Sequence, residues 1–302
     1  MTITTRFAPS PTGYLHIGHA FSALIAWRHA RTAGGRFMLR LEDIDPVRCR
    51  PEFSAAIQED LTWLGLDWDG PVRVQSEHLN EYAAALESLR VRGLLYPCFC
   101  SRADIQRHVI AAAPHGLDGG PLYPGTCRLL SDTERATRVD QPHALRLDMA
   151  RALIERLGFE GPGFEGPGVG GLNFEEVSEG KIAADPASFG DVVIARKDTP
   201  TSYHLCVTHD DALQGVTLVS RGDDLKHATH LHRLIQALMG WPVPIYAHHR
   251  LLTDASGRRL AKRDHAMTLR ALRQAGMTGD EVRERLLSGD PAGVKGLGPQ
   301  PE

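Results

Sequence analysis

Hydrophobic and polar positions divide the N-terminal third of the chain into alternating elements. Thr2 to Ala8 alternates and is rich in β-branched residues, which predicts a strand. Pro9-Ser10-Pro11-Thr12-Gly13 ends it, and Ile17, Ala20, Phe21, Leu24 and Trp27 follow at helical spacing. Phe37 to Leu41 reads as a second strand running into Glu42-Asp43-Ile44-Asp45, and amphipathic stretches follow near Glu52 to Leu64 and His78 to Arg92. Strands alternating with helices predict an α/β fold with a parallel, doubly wound sheet.

The periodicity weakens after Tyr96. Residues 98–188 hold the pair Cys98/Cys100, a Gly/Pro stretch from Gly116 to Pro124, and a tandem of Gly-Phe-Glu-Gly-Pro starting at Gly158 and Gly163 that reads as a loop. Regular patterning resumes at Asp191 to Ala195, Val216 to Ser220 and the helical stretch Leu225 to Met239. The expected organisation is a sheet domain whose first half is 1–97, an insertion over 98–188 and a second half over 189–248. Residues 249–302 carry a basic segment from Arg250 to Arg263, a short helical region and a Gly/Pro tail.

Composition narrows the function classes. At 302 residues the chain suits two domains, and 42% apolar with 24% charged residues is ordinary for a globular protein. No apolar run reaches the eighteen or so residues of a membrane span, and Met1 to Phe7 has no signal-peptide core, so a cytoplasmic protein with no membrane partner is expected. A net charge of −3 requires any nucleic-acid contact to come from a local basic face. Five cysteines, an odd number, argue against a disulfide framework and leave metal binding open.

The most specific chemistry lies in His16-Ile17-Gly18-His19. Gly18 admits close approach to the backbone, and two imidazoles at a helix start favour anions, which points to a nucleotide-phosphate site. The plain alternative is that one histidine caps the helix while the other is solvated. Arg6-Phe-Ala-Pro-Ser-Pro-Thr-Gly-Tyr-Leu-His-Ile-Gly-His19 resembles the signature of class I glutamyl-tRNA synthetases, including their HIGH motif. Arg40-Leu-Glu-Asp-Ile-Asp45, Asp191-Val-Val-Ile-Ala-Arg196, Ser202-Tyr-His-Leu205 and Ser220-Arg-Gly-Asp-Asp-Leu225 extend the likeness, which runs from about Arg6 to Asp264.

The resemblance implies a Rossmann-like parallel sheet with a zinc-containing insertion and a short C-terminal helical region. It also implies a glutamate pocket of Arg6, Phe7, Ala8, Pro9, Ser10, Glu42, Tyr203 and Arg221, and an ATP site of His16, Gly18, His19, Arg259 and Lys262. His16, His19 and Lys262 are the expected catalytic residues, with Mg²⁺ accompanying ATP. Guanidinium forks suit carboxylates, and Glu42 suits an ammonium group. Arg259-Leu-Ala-Lys-Arg263 stands where the family carries KMSKS, with Arg259 for the first lysine and Ala261 for a hydroxyl residue. The cationic positions that steady a departing pyrophosphate remain. Arg258, Arg259, Lys262 and Arg263 are also candidate RNA phosphate contacts.

Cys98, Cys100, Tyr123 and Cys127 offer three thiolates and a phenolate at a spacing that fits either a tetrahedral Zn²⁺ site or buried inert cysteines. The resemblance favours structural zinc, since Cys-x-Cys followed by Tyr-x3-Cys is similar to the zinc site of the short glutamyl-Q tRNA(Asp) synthetases. His108 and His115 are alternatives to Tyr123 as fourth ligand. Only 38 residues follow Asp264, too few for the anticodon-binding region of full-length glutamyl-tRNA synthetases. The short branch is therefore the expected one: ATP-dependent activation of L-glutamate without tRNA, then transfer to queuosine in the anticodon of tRNA(Asp), by a monomer. An ordinary glutamyl-tRNA synthetase, a small-molecule nucleotidyltransferase and an inactive RNA-binding paralogue are the alternatives.

Overall fold

A computed structural model describes residues 2–108, 119–138, 140–157, 171–252 and 268–288. The tandem at Gly158 and Gly163, His115, and the basic residues Arg258, Arg259, Lys262 and Arg263 lie outside the described residues, as does the side chain of His108. The chain forms two compact units. One comprises Met1–Glu77, Gly215–Asp224 and Ile245–Glu302, the other His78–Gln214 and Leu225–Pro244.

In chain order the first unit opens with β1 (Thr4–Phe7), α1 (Ile17–Thr32), β2 (Arg36–Leu41), α2 (Pro51–Trp63) and β3 (Arg73–Val74). The second unit supplies α3 (Leu79–Val91), β4 (Leu95–Cys98), α4 (Arg102–His108), α5 (Asp132–Ala136), β5 (Ala144–Leu147), α6 (Met149–Leu157), β6 (Asn173–Glu176), β7 (Gly180–Ala183), β8 (Val193–Ala195) and α7 (Tyr203–Leu213). The chain returns to the first unit for β9 (Leu218–Gly222), to the second for α8 (Ala228–Met239), and closes in the first with β10 (Ile245–His249), α9 (Leu269–Gln274) and α10 (Gly279–Ser288).

The first unit holds the expected parallel ladder. β1 pairs with β2, β2 with β3 and β9 with β10, all parallel. β9 lies beside β1, joined where Thr217 N–H donates to Thr4 O at 2.9 Å. The ladders β1-β2-β3 and β9-β10 thus abut along β1 and β9, and β1 is buried along its whole length. A central strand must satisfy its polar side chains internally: Thr5 Oγ1 donates to Ala26 O at 2.8 Å, and Arg6 Nη1 to Ser220 O at 3.2 Å. α1 covers the sheet with Ile17, Ala20, Phe21, Ala23, Leu24, Ala26 and Ala30, the alanines allowing close approach. Leu269, Leu272, Val282 and Leu286 extend the same core. A Cβ on Gly279 would sit 2.0 Å from Trp63 O, so α10 can only begin there with glycine.

The second unit departs from the sequence expectation at Asp191 to Ala195. β8 joins an antiparallel sheet, ordered β4-β5-β8, instead of the parallel ladder. Asp191 explains the placement. Buried to 4% exposure, its carboxylate takes Tyr96 Oη at 2.6 Å, Met149 N–H at 3.0 Å and Arg128 Nη1 at 3.0 Å, tying β8 to β4 and α6. β6 and β7 form an antiparallel hairpin, and the helical stretch expected from Leu225 starts at Ala228.

Asp60, on α2, is 1% exposed; among the described residues neither of its carboxylate oxygens is hydrogen-bonded, and Arg273 Nη2 lies 3.9 Å from its Oδ1. Desolvation pushes its pKa up to about 6 against the attraction of Arg273. A raised carboxylate pKa means the folded chain holds the proton longer than the unfolded one, so stability is lost as pH rises from the unfolded value of 3.8 through about 6. Asp60→Asn should gain up to about 3 kcal/mol on wild type between pH 4 and pH 7 in urea unfolding. A pH-independent difference would contradict this.

Candidate functional site

The carboxyl ends of the first unit's strands carry the residues singled out for substrate. Arg6 and Phe7 end β1, Ala8, Pro9 and Ser10 form the turn after it, Glu42 follows β2 directly, and Arg221 lies near the end of β9. Glu42 N–H donates to Pro9 O at 3.0 Å, which ties the turns after β1 and β2 together. The ladders run outward in opposite directions from β1 and β9, so these strand ends flank the kind of switch point where open α/β sheets bind ligands. Tyr203 is placed in the second unit, as the first residue of α7.

Three charged groups are buried there: Arg6 at 6%, Arg221 at 6% and Glu42 at 9% exposure. Arg40, fully buried, brings Nη2 to 3.4 Å from Glu42 Oε1. Sequence reading quoted Arg40 in a motif without giving it a role. Its signal was the two-residue spacing that puts neighbours on one face of an extended chain. Arg221 Nε donates to His248 Nε2 at 3.2 Å, and its guanidinium carbon lies 5.6 Å from the Tyr246 ring centre. Two guanidiniums and a carboxylate held out of water present charge that a zwitterionic ligand with a further carboxylate complements.

Beside this edge, His16 and His19 open α1. His16 is the N-cap: its Nδ1 accepts Gly18 N–H at 3.1 Å, while His16 N–H donates to His19 Nδ1 at 3.3 Å. The rings stack with centres 3.8 Å apart. Helix capping and the nucleotide reading are therefore not exclusive. With Nδ1 accepting, each neutral imidazole carries its proton on Nε2, as a donor fixed at a helix N-terminus. A Cβ on Gly18 would lie 2.9 Å from His16 Cε1, so glycine is needed for the ring to fold back. Leu269 N–H donates to Leu15 O at 2.8 Å and Thr268 bridges His16, so the chain returning from the basic segment is fastened to this motif.

Cys98, Cys100 and Cys127 form a separate cluster in the second unit, their sulfurs all within 4.8 Å of one another. Cys100 and Cys127 sulfurs are 3.5 Å apart, and Tyr123 Oη is 3.4 Å from Cys98 Sγ and 3.5 Å from Cys100 Sγ. Around a tetrahedral ion with bonds of about 2.3 Å to sulfur and about 2.0 Å to oxygen, two sulfurs lie about 3.8 Å apart, and sulfur and oxygen about 3.5 Å. The Cys100–Cys127, Cys98–Tyr123 and Cys100–Tyr123 separations are thus close to those around a four-coordinate ion. Burial pushes the Cys100 thiol up to about 11 and, with the thiol contacts, raises the Tyr123 phenol. Burial also raises Cys127, but bonds from Tyr123, Phe99 N–H and Cys100 outweigh it and leave that thiol below its ordinary value.

Comparison with known proteins gives the family. The family model for the catalytic domain of class I tRNA synthetases (E and Q) matches residues 2–155 and 166–288. A glutamyl-Q tRNA(Asp) synthetase of Rhodobacter capsulatus is 48% identical over 92% of this chain and 98% of its own length. One of Symbiobacterium thermophilum is 44% identical over 98% and 88%. A glutamate tRNA ligase from Elizabethkingia meningosepticum, solved in complex with its amino acid, superposes with a TM-score of 0.69 at 28% identity. The match covers 87% of this chain and 52% of that one, so the chain spans about half the solved ligase. Among the described residues, no helix is long and apolar enough to cross a membrane. The chain belongs to the class I tRNA synthetases for E and Q, in the group of relatives named glutamyl-Q tRNA(Asp) synthetase, and is a ligase of that type.

Proposed function

We propose that the chain activates L-glutamate with ATP and transfers the glutamyl group to queuosine in the anticodon of tRNA(Asp). The observation that carries the reading is the burial of Arg6, Glu42 and Arg221 at the carboxyl ends of neighbouring strands of the unit that also holds the His16/His19 helix start. Arg6 and Arg221 offer guanidiniums to substrate carboxylate and Glu42 a carboxylate to its ammonium. In the first step a carboxylate oxygen of glutamate attacks the α-phosphorus of ATP, forming glutamyl-adenylate and releasing pyrophosphate. The Nε2–H groups of His16 and His19 stabilise charge on the phosphates, and Lys262 and Arg259 serve the departing pyrophosphate. Mg²⁺ bound with ATP adds charge neutralisation. In the second step a queuosine hydroxyl attacks the adenylate carbonyl and AMP leaves.

The names of the relatives support the queuosine acceptor. Single-stranded anticodon bases can be splayed into a pocket, so a catalytic domain can hold them. The test is transfer of labelled glutamate to tRNA(Asp) from queuosine-replete and queuosine-deficient cells. Label should enter only the replete pool; equal labelling, or efficient charging of tRNA(Glu), would return the chain to the ordinary glutamyl-tRNA synthetases.

Cys98, Cys100, Tyr123 and Cys127 hold one structural Zn²⁺ in this reading, since four protein donors leave no position for water. Metal analysis should find about one equivalent, and Cys127→Ser should lose it together with several degrees of thermal stability. Retention of both would defeat the assignment. If Tyr123→Phe keeps metal while His108→Ala or His115→Ala loses it, the fourth ligand is a histidine.

A further inference from the structure

The register of β10 on β9 places His248 directly opposite Arg221, the two being Cα partners in the parallel ladder. Their side chains meet: Arg221 Nε donates to His248 Nε2 at 3.2 Å. Tyr246 and His248, two residues apart, share one face of β10, with rings parallel to within 1° and centres 6.0 Å apart. Arg221 stands over the same tyrosine. Two rings of one strand therefore border one guanidinium of the next, one ring accepting its Nε–H and the other facing it with π density. A guanidinium is planar, so fixing the direction of Nε–H fixes the plane and the line along which its Nη1/Nη2 edge points. His249, next along the strand, faces the other way. Its ring lies edge-on to Phe21 of α1 and its Nδ1 meets Arg250 O, so it takes no part in this contact.

We propose that His248 is a positioning residue for glutamate: its Nε2, as a hydrogen-bond acceptor, aims the Arg221 guanidinium at a substrate carboxylate. Only the tautomer with its proton on Nδ1 can do this. The inference rests on Arg221 belonging to the glutamate pocket, as proposed above. A histidine that only filled space between two strands would be replaceable by any planar side chain of similar size. A positioning histidine is replaceable only by another acceptor.

The experiment is steady-state glutamate-dependent ATP–pyrophosphate exchange on the full chain, with thermal unfolding of every variant alongside. Arg221→Ala should raise the glutamate KM at least a hundredfold. His248→Phe keeps a ring against Tyr246 and removes the acceptor. It should raise KM about tenfold, the scale of one hydrogen bond to a charged partner, with kcat within about twofold. His248→Gln, whose amide oxygen accepts, should recover most of the loss, and Arg221→Ala/His248→Phe should be no worse than Arg221→Ala alone. If His248→Phe does not fold, His248→Leu makes the same comparison. An unchanged KM in the folded non-accepting variant, or His248→Gln no better than it, would overturn the role of His248 while Arg221→Ala still impairs binding. An unchanged KM in Arg221→Ala would overturn the pocket itself.

Discussion

The seam between β1 and β9 is the constraint on which the site depends. Arg6 and Ser220, 214 positions apart, meet through one hydrogen bond, and Thr4 and Thr217 meet through backbone hydrogen bonding beside it. Closing a loop of that size costs only slightly more entropy than closing a short one, because the cost grows with the logarithm of length. The longer segment of the second unit, His78–Gln214, can therefore come between the two strands in sequence without undoing the seam. Its consequence is chemical. Two arginines from distant segments come to lie at adjacent strand ends, where neither could be read as the other's neighbour from spacing alone.

Burial gives those charges their meaning. An exposed Arg–Glu pair contributes little, whereas charges at 6% to 9% exposure lose much of their hydration and depend on partners. Arg40 answers Glu42, and Ser220 O and His248 answer Arg6 and Arg221. The first unit thus holds its charged residues in fixed directions before any ligand arrives, which lowers the ordering cost of binding.

What was legible in the sequence follows the range of the interactions concerned. β1, α1, β2, α2 and α3 emerged from local periodicity, and the motif around His16 from a glycine whose need is local, the folding back of one ring. β4 and β5 did not emerge: each has four residues, and each is set by pairing with a distant partner. α7 was missed because Asp210 and Asp211 look like surface residues. Asp210 is in fact fully buried and receives Tyr82 Oη at 2.9 Å from α3. β8 was legible as a strand, but its antiparallel partner was not, since Asp191 takes its partners from β4, α6 and the segment around Arg128. Candidate substrate residues were named through motifs, while Arg40 and His248, which contact Glu42 and Arg221, emerge only from the fold.

On the proposed function, the first unit carries a preformed glutamate-activating site. Glutamate-dependent ATP–pyrophosphate exchange without tRNA measures this most directly. Exchange should require glutamate, saturate with it and proceed at a similar rate when tRNA is added. Exchange that appears only with tRNA, or that any amino acid supports equally, would contradict it.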